Sequence, residues 1–211
     1  METSKKPLSI KIIYWITNIT FWIFIAMAVL GTAVVTALMF DAFSDDLQLN
    51  VGMPVSINIL EKGTLDLDIS SKYIDVQFTE MNGKLHFIDT PAALGRIYGT
   101  FMLIMLATSL YIFITFRKFI NNVYKGKYFD IDNIALLKRI AYTMAGGWVF
   151  TAFYGYFQYF YIATNMQFNS IEITSDVQTY PVILLGALFI WVLSHIFMKG
   201  CELQDEQSLT V

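Results

Sequence analysis

The sequence predicts an all-α transmembrane bundle of four helices with a small extracytoplasmic β-rich cap. Three observations predict it: four long apolar runs, basic residues gathered on one side of those runs, and period-two alternation in the polar segment after the first. The 211 residues are 56% hydrophobic and 16% aromatic, with only 15% charged, against about a quarter charged in soluble domains. The charges lie between the apolar runs, as in a chain whose surroundings alternate between water and lipid.

The first apolar run extends from about Ile10 to Phe40, with no charge after Lys11. A helix of that length is roughly 45 Å long against a hydrocarbon core of about 30 Å, so it must tilt or project. Lys5, Lys6 and Lys11 make a basic start and Val35-Thr36-Ala37 resembles a cleavage site, but the run is about twice the length a signal sequence uses. It reads as a retained anchor. The second run is about Ile97 to Phe116, the third about Ile140 to Ala163, and the fourth about Tyr180 to Met198. The chain accordingly divides into 1–40 (N-terminal tail and first span), 41–93 (outer β-rich segment), 94–124 (second span), 125–139 (inner loop), 140–163 (third span), 164–179 (outer loop), 180–198 (fourth span) and 199–211 (tail).

Orientation follows from the basic residues. Lys5, Lys6, Lys11, Arg117, Lys118, Lys125, Lys127, Lys138, Arg139 and Lys199 fall on one side; Lys62, Lys72, Lys84 and Arg96 fall on the other. Cytoplasmic loops are enriched in Lys and Arg, which puts the first group and both termini in the cytoplasm.

In the outer segment Val55, Ile57 and Ile59 alternate with Ser56 and Asn58; Leu65, Leu67 and Ile69 with Asp66, Asp68 and Ser70; Ile74, Val76 and Phe78 with Asp75, Gln77 and Thr79. These predict half-buried strands with a polar outer face. Asn82-Gly83 predicts a type I′ hairpin turn, pairing Met81 with Lys84 and setting Phe78 opposite Phe87. Residues 170–174 would add a strand to the same sheet. Asp66 with Asp68, and Asp41, Asp45 and Asp46, read as a solvated acidic face in preference to a calcium site, because their spacing matches no known loop.

Few polar groups lie within the spans: Thr17, Asn18 and Thr20 in the first, Gln158 in the third, His195 near the end of the fourth. No charged residue falls mid-span, which argues against a coupled transporter. One cysteine, Cys201, and two histidines, His86 and His195, leave no disulfide and no zinc set, and no cofactor is expected. An enzyme would need a convergent nucleophile, base or metal set, and none is legible. Nothing reads as a nucleic-acid-binding surface. Gly95 and Gly99 have the GxxxG spacing for close helix approach, within one chain before a homo-oligomer. Seven aromatics between Phe153 and Tyr161 read as an aromatic belt; the sharper alternative is a lipid or quinone pocket built from Tyr154, Phe157, Gln158 and Tyr161.

The inner loop is the most patterned polar stretch. Phe113, Phe116, Ile120 and Val123 carry helical spacing past the bilayer, Gly126 stops it, and Asp130 is an N-cap with Phe129 and Ile134 placed as a hydrophobic staple. The run Gly126, Phe129, Asp132, Asn133, Leu137, Lys138, Arg139, Ile140 resembles the inner-loop signature of the bacterial membrane family catalogued as domain of unknown function 2975. The ending Gly200, Cys201, Glu202, Leu203, Glu206, Leu209, Thr210, Val211 resembles that family's C terminus. The chain departs at Tyr128, Asp132, Ala141 and Ser208, where proline, glutamate, glycine and aspartate are usual.

The resemblance implies a bacterial cytoplasmic membrane, membrane lipids as surroundings, and a small helix-turn-helix transcription regulator as partner of the inner loop and tail. On that reading Gly126, Phe129, Asp132, Asn133, Leu137, Arg139, Gly200, Glu202, Leu203, Glu206, Leu209, Thr210 and Val211 are the partner-binding residues. Read from the residues alone, the same side chains could simply lock helix ends together.

Overall fold

The computed structural model describes residues 7–40, 52–66, 73–78, 81–87, 92–162, 165–174, 177 and 179–209. Four helices dominate. Helix α1 spans Leu8–Met39 and follows Pro7, whose φ of −53° suits a helix start. Of its 32 residues only Thr17, Phe21 and Ala28 are buried, while Trp15, Trp22, Ile23 and Leu30 are exposed. So much apolar surface left bare marks a helix solvated by hydrocarbon.

Helix α2 covers Ala92–Tyr124 and stops where the spacing predicts. Gly126 has φ +87°, a left-handed conformation that costs other residues about 1–2 kcal/mol. Its N–H donates to Val123 O at 3.0 Å and the Lys127 N–H to Asn122 O at 3.1 Å, the paired bonds of a Schellman motif. Helix α3 covers Ile131–Phe157 behind its N-cap Asp130, whose carboxylate accepts from the Asp132 N–H at 3.0 Å. It then widens into a π-helical turn over Gln158–Ile162. Helix α4, Pro181–Leu209, starts on proline, as helices tolerate at their first position. It does not end at residue 198: most of the sequence segment read as a tail is helix.

Among the described residues three helices, Leu8–Met39, Ala92–Tyr124 and the Pro181–Gln204 part of α4, are long and apolar enough to cross a membrane. This is a membrane protein. Helix α3 lies where a third span is expected but is not one of the three: past Arg139 it carries no charge, yet Tyr142, Thr143, Gly146, Gly147 and Trp148 dilute its hydropathy.

Each helix packs antiparallel on the next. Tyr14 stacks on Tyr124 at 4.1 Å, Phe24 meets Phe113 at 5.5 Å, and Met39 lies against Gly99; α1 therefore descends as α2 rises. A Cβ on Gly99 would come within 2.5 Å of the Met39 side chain, so the GxxxG glycine serves packing within the chain. Phe101 meets Phe150 and Tyr154 of α3 at 5.1 and 4.6 Å. Phe129 meets Phe197 of α4 at 5.7 Å, and Met144 faces Gly186. The ends of α2 and α4 thus lie with the starts of α1 and α3.

At the opposite end sit five short strands: β1 Gly52–Ile59, β2 Lys62–Asp66, β3 Tyr73–Gln77, β4 Met81–His86 and β5 Ile171–Thr174. They form two antiparallel sheets, β4-β1-β5 and β2-β3. The strand expected at 170–174 does join β1, pairing Ile57 with Ile173. The Asn82-Gly83 hairpin does not form. Asn82 and Gly83 are mid-strand, paired with Ser56 and Val55, and Gly83 lacks the positive φ the turn demands. Long-range pairing overrides the local turn preference, helped by the Ser56 hydroxyl donating to Asn82 Oδ1 at 2.7 Å.

Phe78 therefore does not face Phe87; its carbonyl accepts from the Ile59 N–H at 3.3 Å. The same bond to Asn82 explains why Ser56 is buried, against the expected alternation. Met53 and Val55 of β1 pack with Tyr98, joined by Leu94, Tyr154, Phe157 and Ile173, so the larger sheet rests on the ends of α2 and α3. Asp41, Asp45, Asp46, Leu67, Asp68 and Ile69 lie outside the described residues.

Candidate functional site

Two concave places bring together residues that the sequence singles out. The first joins the inner loop to α4. Phe129 lies over Gly200, where a Cβ would meet ring carbons at 2.5 and 2.6 Å; only glycine lets the ring sit there. Around this contact a cleft of about 590 Å³ is lined by Gly126, Lys127, Tyr128, Phe129, Asp130, Gly200, Leu203, Gln204 and Gln207. The two motifs that carry the family resemblance, some seventy positions apart in sequence, therefore form one surface. Phe129 (52% exposed) and Leu203 (59%) leave it an apolar rim.

Behind the loop that lines the cleft stands Asn133, which has no exposed surface. Its amide donates to Lys127 O and, at 3.2 Å, to Tyr128 O, while its Oδ1 accepts from Asn122 Nδ2 at 2.9 Å. Burying an amide is affordable only when it is so satisfied. Asn133 thus clasps the loop to the end of α2. Lys127 Nζ stands 3.4 Å from Asp130 Oδ2. The Asp132 N–H and then Lys127 hold the Asp130 carboxyl below its ordinary range.

The other residues predicted here are distributed differently. Leu137 is in the core. Asp132, Arg139, Glu202 and Glu206 are exposed, and Glu202 pairs with Lys199 at 2.6 Å. Leu209 is the last residue of α4. Thr210 and Val211 lie outside the described residues. Phe129 finds its ring partner on α4, a role beyond the staple read from sequence.

The second place lies under the larger sheet. A cavity of about 250 Å³ is enclosed by Met53, Pro54 and Val55 of β1, Thr151, Tyr154, Gln158 and Tyr159 of α3 and the turn after it, and Tyr180. Gln158 is buried and donates to the Tyr98 hydroxyl at 3.2 Å. Tyr154, Thr151 and Met105 also line a more apolar groove of about 420 Å³ running between α1, α2 and α3 past Gly31, Phe101, Phe150 and Ser109. Two of the four predicted pocket residues, Tyr154 and Gln158, face the cavity. Phe157 and Tyr161 instead stack on each other at 5.2 Å, and Tyr161 is exposed.

Sequence reasoning missed one cluster. The Arg117 Nε–H donates to Asn18 Oδ1 at 2.8 Å, and its guanidinium lies 4.1 Å over the Phe21 ring. Read along the chain, Arg117 was one of the cytoplasmic basic residues and Asn18 one of a few polar groups within the spans. Their pairing across two helices has no local signal. His195 bonds within its own helix, to Trp191 O at 3.0 Å.

The family described as Protein of unknown function (DUF2975) matches residues 76–211, and the chain belongs to it. The match begins inside β3, so α1, β1 and β2 precede it. No curated protein and no solved structure matches the chain.

Proposed function

We propose that this protein is a sensor or regulatory partner in the bacterial cytoplasmic membrane, crossing it four times with both termini inside. Its cleft between the inner loop and α4 receives a small helix-turn-helix transcription regulator. The observation that carries this reading is the seat of Phe129 on Gly200, which makes one concave surface from the two motif segments. An apolar rim in water favours occupation by a partner. Among the described residues the cleft end also holds Lys11, Arg117, Lys118, Lys125, Lys127, Lys138, Arg139 and Lys199, against Lys62, Lys84 and Arg96 at the sheet end; this asymmetry favours the cleft end as cytoplasmic.

The test places a photo-crosslinking residue at Gln207 in living cells and identifies the adduct. A helix-turn-helix protein, lost when Leu203→Glu is introduced, is the expected result. Adducts to lipid or to a transporter subunit alone would refute it. The second reading, an accessory subunit for a lipid, quinone or transporter, is favoured by the cavity beneath the sheet.

A further inference from the structure

We propose that the cavity under the sheet and the groove below it form one binding site for a single quinone-type lipid, its ring beneath the sheet and its tail along α2. Three features carry this. The two spaces meet at Met105, Thr151 and Tyr154. The groove follows α2 from Phe101 to Ser109, roughly 12 Å along the helix axis at 1.5 Å per residue, away from the sheet. That is the direction a lipid tail takes when its head sits at the membrane surface.

The chemistry of the walls selects the head. Among the described residues no charged side chain lines either space, which disfavours phosphate or ammonium heads, since an unpaired charge is costly there. The polar side chains there are neutral: Thr151, Tyr154, Gln158, Tyr159 and Tyr180 around the cavity and Ser109 in the groove. Gln158 uses one N–H on Tyr98 and keeps a second, and a tyrosine hydroxyl donates readily to a carbonyl. At about 250 Å³ the cavity is smaller than sites that hold whole drug-sized ligands; it suits a substituted ring. Aromatic walls favour a planar head through offset stacking. Gln158 opens a π-helical turn, and such turns frequently mark functional sites. The site lies at the other end of the helices from the cleft, so it stands or falls independently of the regulator.

The experiment measures binding of a decyl-tailed benzoquinone to the full chain in detergent by calorimetry, with decanol and dioctanoylglycerol as competitors. Tyr154→Phe and Gln158→Leu should each weaken the quinone roughly three- to tenfold, the worth of one hydrogen bond. Gly31→Phe should weaken it at least as much by filling the groove; there an added Cβ has room, its nearest neighbour being Leu106 Cδ2 at 4.0 Å. Decanol should compete weakly. Affinity unchanged in the variants, decanol competing as well as the quinone, or dioctanoylglycerol binding more tightly would each overturn the proposal. Thermal unfolding of each variant shows which are folded, and Gly31→Phe carries the test should the polar pair fail.

Discussion

Replacing Asn133 with leucine keeps the side chain's branched shape, enlarges it and removes its hydrogen bonds, so it tests the clasp beneath the cleft. Three bonds are lost: two from the amide to Lys127 O and Tyr128 O, and one from Asn122 to Oδ1. At about 0.5–1.5 kcal/mol each the gross loss is about 1.5–4.5 kcal/mol. Lys127 and Tyr128 are exposed, so their carbonyls can turn to water, and no full desolvation penalty is added for them. The net is about 2–3 kcal/mol, which is roughly a 30- to 150-fold rise in local opening.

The assay is amide hydrogen exchange of the purified protein. The N–H groups of Lys125, Gly126 and Lys127 are bonded back to α2, and that of Ile134 to Asp130 O, so their exchange reports the loop. Amides at the sheet end, such as those of β1 and β4, should keep their protection. A rise below about threefold in the loop amides would refute the clasp, as would an equal rise at the sheet end.

Further outcomes follow from the same geometry. Gly200→Ala forces the Phe129 ring aside and should cost about 1–3 kcal/mol; Phe129→Ala in the same chain should recover most of the further loss, as thermal unfolding of the four proteins of the cycle would show. Gly83→Thr should be tolerated within about 0.5 kcal/mol because the added Cβ meets nothing within 4 Å and the residue is in a strand that favours β-branching; marked destabilisation in a melting curve would restore the turn. Asp130 should titrate below a free aspartate by carbon NMR, since the Asp132 N–H and Lys127 favour its charged form. A depressed folded pKa means that its stabilising contribution is complete above the unfolded value. It is lost only in acid, as pH falls through the folded value. Loosening of the first turn of α3 at neutral pH would contradict that sign.

The family was legible from two motif segments, and the matched residues 76–211 contain both. That the two segments lock together was one of two readings; which side chains make the contact was not legible. Phe129 and Gly200 are far apart in the chain, and a glycine in an apolar helix looks like any small residue until a ring is found against it. Two of the four aromatic-stretch residues named, Tyr154 and Gln158, line one cavity. Helical spacing told which rings share a stretch of chain, whereas the widening of α3 at Gln158 decided which of them face the sheet.

What the sequence by itself determined was roughly where the helices lie, with the stop of α2 and the start of α3. Apolar run length, Gly126 and the Asp130 cap act through contacts within a few residues, and those are written locally. Hydrocarbon-length runs also declare their solvent by composition alone. The tertiary structure decided the rest: Asn82-Gly83 as strand, Arg117 on Asn18, and the cleft and cavity at opposite ends. Each of these depends on which distant segment supplies the partner. A strand's unpaired backbone or a buried amide gains far more from a long-range hydrogen bond than a turn preference or a helix propensity can withhold.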